Sequence, residues 1–126
     1  MIILDTNVIM EILEKRDRQL AVIGLLQQYG GEEIAITTLT LSNVFYLVES
    51  HKTAVNIAEQ LLKTYTVVAV TSEDAGWAFA HYNGKDFEDA LQIAAVLREK
   101  CTAFLTIDTV LAKKYSKFLD IKLVGA

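Results

Sequence analysis

The stretch Ile2-Ile3-Leu4-Asp5-Thr6-Asn7-Val8-Ile9 changes its periodicity at Asp5. Before it, three consecutive apolar residues suit a strand covered on both faces. After it, Val8, Ile9, Ile12 and Leu13 recur at helical spacing. A short strand therefore runs directly into a helix, with an acid at the junction. The same alternation continues outward. Val22, Leu25, Leu26 and Tyr29 predict a second helix, which Gly30-Gly31 stops. Ile34-Ala35-Ile36 reads as a second strand, and Leu41, Val44, Phe45 and Val48 form the apolar stripe of the next helix. Val55, Ala58 and Leu62 place another helix over residues 52–63. Val67-Val68-Ala69-Val70 is continuous and rich in β-branched residues, as in a strand buried on both faces. Ala75, Phe79 and Tyr82 predict a helix before the Asn83-Gly84 turn, and Ala90, Ile93, Ala94 and Leu97 a strong one after it. Phe104-Leu105-Thr106 is a fourth strand, a short helix follows around Leu111 and Tyr115, and Ile121-Lys122-Leu123-Val124 is a last strand. Strands interleaved with helices imply a mainly parallel sheet covered on both faces.

Composition agrees with one domain over residues 1–126 and excludes several classes. The 126 residues are 52% apolar and 22% charged, which rules out disorder. No proline and six glycines argue against a sandwich of many short strands. The single cysteine, Cys101, cannot form an internal disulfide. The longest uncharged run, Ile34 to Val48, is fifteen residues and contains threonines, a serine and an asparagine. A membrane span needs about 20 predominantly apolar residues, so none is expected. Asp5 and Glu11 interrupt any signal-peptide core, so the expected location is cytoplasmic. Sixteen acids against twelve bases give a net charge of −4, which does not indicate a strongly basic nucleic-acid binder.

In open parallel sheets ligands bind beyond the carboxyl ends of the strands, where strand order reverses. Asp5 follows the first strand directly, and Asp108 follows Phe104-Leu105-Thr106-Ile107. Asp86 and Asp89 are three apart at the start of a helix whose buried face continues through Ala90, Ile93 and Leu97. Each acid could serve simply as a helix cap, Asp86 with Asp89 as a capping arrangement. Caps alone, however, do not require three helices to place acids at one sheet edge. Gathered carboxylates need a cation or a proton to offset them. Oxygen donors without cysteine or histidine point to Mg²⁺ or Mn²⁺, and so to phosphate-ester chemistry.

These residues resemble a known family. Asp5-Thr6-Asn7-Val8-Ile9 is similar to the opening motif of PIN domains, the nuclease fold of VapC-type bacterial and archaeal toxins. Asp86-Phe87-Glu88-Asp89-Ala90-Leu91-Gln92, followed by Ile93-Ala94-Ala95, resembles the central acidic helix motif, and Phe104-Leu105-Thr106-Ile107-Asp108 the last one. Order and spacing agree from residue 2 to about 124. The resemblance implies a three-layer α/β/α sandwich and an endoribonuclease using Mg²⁺ or Mn²⁺. It assigns Asp5, Asp89 and Asp108 to the metal, with Asp86 as an acid beside them. It further implies an antitoxin partner. One departure stands out: the family has a glutamate in a Thr-Leu-Ser-Glu context, and here Thr40-Leu41-Ser42 is followed by Asn43. A subgroup of PIN-like sequences carries Asn or Asp there, and Asn43 could hold a metal-bound water or a phosphate oxygen. Glu49, six residues on, lies about 240° round the helix and cannot replace the missing acid. Fewer acids imply weaker metal binding.

Thr6, Asn7 and Thr106 could orient water or phosphate, or could satisfy the backbone at the helix starts. Lys113, Lys114 and Lys117 form a small basic cluster that could meet RNA phosphates. His51 and His81 are isolated, and Cys101 reads as a small hydrophobe. Trp77, Phe79 and Tyr82 read as packing residues, with base stacking as the alternative. Apolar helices suggest a homodimer face. Two other functional readings compete. One is a catalytically weak or inactive PIN-like module that binds RNA or protein. The other is a phosphatase or phosphoacceptor with Asp5 as nucleophile, disfavoured by Asn7 two residues on and by Lys122 inside the last strand.

Overall fold

The computed structural model describes residues 1–48 and 51–125. Among these residues five strands form one sheet: β1 (Ile2–Leu4), β2 (Ile34–Thr37), β3 (Thr66–Val68), β4 (Ala103–Thr106) and β5 (Ile121–Leu123). Their order is β3-β2-β1-β4-β5, and every pairing is parallel. The helices between them are α1 (Thr6–Leu13), α2 (Gln19–Gln28), α3 (Thr38–Leu47), α4 (His51–Thr64), α5 (Ser72–His81), α6 (Phe87–Arg98) and α7 (Thr109–Tyr115).

Successive side chains of a strand point to opposite faces, and this divides the core in two. Ile2, Leu4, Ile36 and Leu105 meet Val8, Ile9, Val22, Val44 and Leu61 from α1 to α4 on one side. Ile3, Ala35 and Phe104 meet Ala78, Ala90, Ile93 and Leu111 from α5 to α7 on the other. The result is the expected three-layer α/β/α sandwich. Gly31, with φ +90°, follows α2, and Gly84, with φ +75°, makes the turn before α6, as left-handed backbone favours glycine.

Two expectations are corrected. β3 starts at Thr66 and ends at Val68, and it is an edge strand with Thr66 exposed and Val67 only partly buried. The run Val67-Val68-Ala69-Val70 reads as buried on both faces, yet only Val68 is buried, and Val70, beyond the strand, packs partly on the α5–α7 core. Asp86 occupies the N-cap position of α6 but makes no side-chain cap bond, so the expected capping arrangement with Asp89 is absent. Its oxygens are taken elsewhere. Glu49 lies outside the described residues, as does the side chain of His51.

Candidate active site

The strand order reverses at β1. The chain builds outward from β1 through β2 to β3, then crosses back to place β4 on the other side of β1. A crevice opens beyond the ends of β1 and β4 in such a sheet. Asp5 and Asp108 stand there, one at the start of α1 and the other at the start of α7. Together with Thr6, Asn7, Asn43, Tyr46, Leu47, Glu88 and Asp89 they line a pocket of about 300 Å³. A larger, more apolar pocket of about 420 Å³ lies between α1, α3 and α4, and among the described residues Glu14 is the one acid in its lining. That pocket has the wrong chemistry for a charged reaction centre.

Asp5 is fixed from three sides. Its Oδ1 accepts from the Thr6 N–H at 2.8 Å and from Gln92 Nε2 at 2.8 Å. Its Oδ2 accepts from Thr106 Oγ1 at 2.7 Å. Gln92 is buried, and its Oε1 accepts from Thr37 Oγ1 at 2.7 Å and Thr40 Oγ1 at 3.4 Å. Thr106 Oγ1 also accepts from the Asp108 N–H at 3.0 Å, which joins the two acids through one hydroxyl. Asp108 Oδ1 accepts from the N–H groups of Val110 and Leu111, both at 3.0 Å. Asp5 and Asp108 are thus both caps and pocket acids; the two readings are not exclusive.

Electrostatics set the acids apart. Burial raises the pKa of Asp5; hydrogen bonds from Thr106 and the Thr6 N–H oppose the rise, and the Asp108 charge adds to it. Asp89 is pushed up to about 6 by burial first, then by the charges of Asp5, Asp108, Asp86 and Glu88. Asp86 behaves oppositely. Burial raises its pKa, but bonds from Lys114, Tyr115 Oη at 2.6 Å and the Asn83 N–H at 2.8 Å outweigh it and hold the carboxyl at about 2. Asp86 is therefore a clamp between α6 and α7 and is not among the pocket residues. The same bond commits Lys114, which also donates to the Asn83 carbonyl at 3.2 Å. Lys113 is exposed.

Asn43 donates from Nδ2 to Thr6 Oγ1 at 3.2 Å and to Glu88 Oε1 at 2.7 Å. Thr6 is buried, and its hydroxyl also meets that of Thr40 at 3.1 Å. Asn7 is exposed at the pocket rim. His81 stacks on Trp77 with ring centroids 3.9 Å apart, which supports packing for both. Phe79 is 68% exposed, contrary to a packing role, and sits against Tyr82 and Phe87. The Cys101 thiol is pushed up to about 11 by burial, as an inert small hydrophobe would be.

The described lining contains four carboxylates and no lysine, arginine or histidine. Hard oxygen donors of this kind match Mg²⁺ or Mn²⁺, and the raised Asp5 and Asp89 mark a place where positive charge is wanted. Among the described residues, no three His, Cys, Asp or Glu side chains already converge closely enough to enclose an ion. The acids share a pocket without forming a closed coordination shell.

The family model for the PIN domain matches residues 2–117. The chain belongs to the PIN domain family. No curated protein matches its sequence significantly. Solved structures of similar fold include a toxin–antitoxin complex from Klebsiella pneumoniae, at 16% identity and TM-score 0.77, covering 99% of this chain and 98% of that one. FitAcB from Neisseria gonorrhoeae is 19% identical, with TM-score 0.70 and 96% of each chain covered. VapBC2 from Rickettsia felis, bound to a promoter DNA fragment, is 16% identical, with TM-score 0.68 and 98% of each chain covered. Identities this low show the PIN fold. Sequence alone gives no role in this PIN domain to Gln92, buried behind Asp5, or to Glu88, in the pocket lining. Gln92 lay inside a quoted motif but carried no role, because a lone glutamine has no spacing signature. Nothing in the sequence separates Glu88 from an ordinary first-turn acid of α6. No helix among the described residues is long and apolar enough to cross a membrane.

Proposed function

We propose that this PIN domain is a metal-dependent endoribonuclease and the toxin member of a toxin–antitoxin pair. One observation carries the reading: acids from the ends of β1 and β4 and from α6 line one pocket at the point where strand order reverses. Asp5, Asp89 and Asp108 would hold Mg²⁺ or Mn²⁺. The bound ion would lower the pKa of an attacking water and offset charge on the phosphate. The residues of the chain supply the rest. Gln92, Thr106 and the Thr6 N–H fix the direction in which Asp5 presents its remaining lone pair. The N–H groups opening α7 hold Asp108. Burial and neighbouring charge raise both Asp5 and Asp89, and a cation in the pocket would keep them ionised.

The partner reading is supported by an exposed apolar rim of the pocket. Tyr46 is 87% exposed and Leu47 50% exposed, and both line the acidic pocket. An antitoxin segment with apolar side chains and a basic group could cover this place. The solved neighbour from Klebsiella pneumoniae is a toxin–antitoxin complex by name. A homodimer is the expected assembly.

The test is cleavage of a mixed structured RNA by the purified chain, with Mn²⁺ or Mg²⁺ and with EDTA, beside Asp5→Asn. Asn preserves the cap, so that variant should fold. Cleavage that needs both metal and Asp5 is the expected result. Equal cleavage by Asp5→Asn overturns the site. No cleavage by folded, antitoxin-free protein favours the binding-module reading, for which Asn43 is the motivating residue.

A further inference from the structure

Position 43 carries an amide where the family resemblance expects a carboxylate. The structure shows what that amide does. Its Nδ2 donates 2.7 Å to Glu88 Oε1 on α6 and 3.2 Å to Thr6 Oγ1 on α1. A carboxylate can only accept, so the nitrogen, and not the oxygen, faces Glu88. Thr6 is buried and bonded to Thr40, which makes it a fixed post for the amide. Glu88 is exposed on the first turn of α6, where a glutamate would ordinarily sweep through solvent. Here one oxygen is tied across to α3, and the side chain lines the pocket with Asp5, Asp89 and Asp108. A role limited to the helix N-terminus would not call for a contact with a different helix.

We infer that Glu88 is the fourth carboxylate of the cation site and that Asn43 is the residue positioning it, so that the acid absent from α3 is supplied by α6. This rests on the metal reading above. It also explains why residue 43 is not an acid: a glutamate there would confront Glu88 with a like charge and no donor between them. Asn43 and Glu88 account for each other. The expectation that one acid fewer means weaker metal binding is then removed, because the number of pocket carboxylates is restored.

The test reads Mn²⁺ binding directly, by free-ion electron paramagnetic resonance on the purified chain without RNA. Circular dichroism confirms that each variant is folded. In Glu88→Gln the side-chain carbonyl can still accept from Asn43, so only charge is lost; Mn²⁺ affinity should fall about tenfold. Asn43→Ala keeps the charge and frees the side chain, and affinity should fall about threefold. The pair Asn43→Glu with Glu88→Gln returns the charge to α3 with the hydrogen bond reversed, and should bind within about threefold of the parent chain. Asp5→Asn should abolish binding. Wild-type affinity in Glu88→Gln, with binding lost in Asp5→Asn, would make Glu88 a surface acid and overturn the inference while leaving the metal site intact. A swapped pair no better than Glu88→Gln would overturn the relocation. No Mn²⁺ binding by the parent chain without RNA would overturn this inference, and the RNA cleavage assay with Mn²⁺ and with EDTA then decides separately whether the metal reading stands.

Discussion

The acids of the pocket make opposite demands on pH. Asp89 has a folded-state pKa of about 6, above its ordinary value of 3.8. The folded form therefore binds more protons than the unfolded form between those values, and stability rises as pH falls through 6. Asp86, held at about 2, works the other way: its contribution is present above 3.8 and is lost as pH falls toward 2. In EDTA the chain should be most stable near pH 4 to 5, the window between these two effects. Asp89 is only half-buried, so solvent screening limits its gain from pH 7 to 5 to about 1 kcal/mol. Thermal melts across pH would show it, and Asp89→Asn should flatten that limb. Saturating Mn²⁺ competes with the proton and should remove the gain. A melting temperature unchanged between pH 7 and 5 in EDTA would mean that the acids do not repel as described. At this scale the sequence was informative about charge and silent about partners. Asp5 and Asp108 declare themselves by following apolar strands. Nothing local tells that Gln92 reaches Asp5 across 87 positions, or that Asn43 meets Glu88 across 45.

Elements depend on the same side chains in a second way. Asp108 accepts from two N–H groups at the start of α7, a helix of seven residues. Asn caps as well as Asp, whereas Ala does not cap. Asp108→Asn should therefore keep the stability of the chain in urea while losing metal binding. Asp108→Ala should lose both, at about 1 kcal/mol for the cap. Equal destabilisation by the two would mean that charge, not capping, holds α7 in place. The starts and stops of other elements were only partly legible. α2 ends at a Gly-Gly signal, as read, but α1 and α6 are followed by lysines with positive φ, Lys15 at 50° and Lys100 at 52°. Lysine gives no stop signal in sequence. The start of α5 is a capping box of Thr71 and Asp74, and Asp74 is buried against Arg98 of α6. The periodicity of Ala75 and Phe79 locates that helix without revealing its cap. β3 reads as buried on both faces because β-branched composition reports a preference for extended backbone and not how fully a strand is covered.

Across the whole molecule the decisive fact is strand order, and periodicity cannot supply it, because every strand reads alike from within. Parallel alternation places Asp5 and Asp108 at the same carboxyl edge, and only the ordered motifs, through their family resemblance, imply that they share one site. The order β3-β2-β1-β4-β5 puts β1 beside β4 and so brings residues 5 and 108 to one crevice. Gathering like charges there opposes folding, and a cation that binds only the folded form must oppose unfolding by mass action. At a hundred times its dissociation constant, Mn²⁺ should add about 2.7 kcal/mol, or about 10 °C in melting temperature for a chain of this size. The variant Asp5→Asn, Asp89→Asn, Asp108→Asn removes the repulsion while leaving both caps in place. In EDTA it should melt above the parent chain, and added Mn²⁺ should leave it unmoved. Activity and stability would then be opposed at one place, as expected where a pocket is arranged for a ligand and not for the fold. If RNA cleavage needs metal while Mn²⁺ leaves the parent melting temperature unchanged, the cation enters with the RNA. The phosphate would then supply the oxygen ligands that close the unclosed shell.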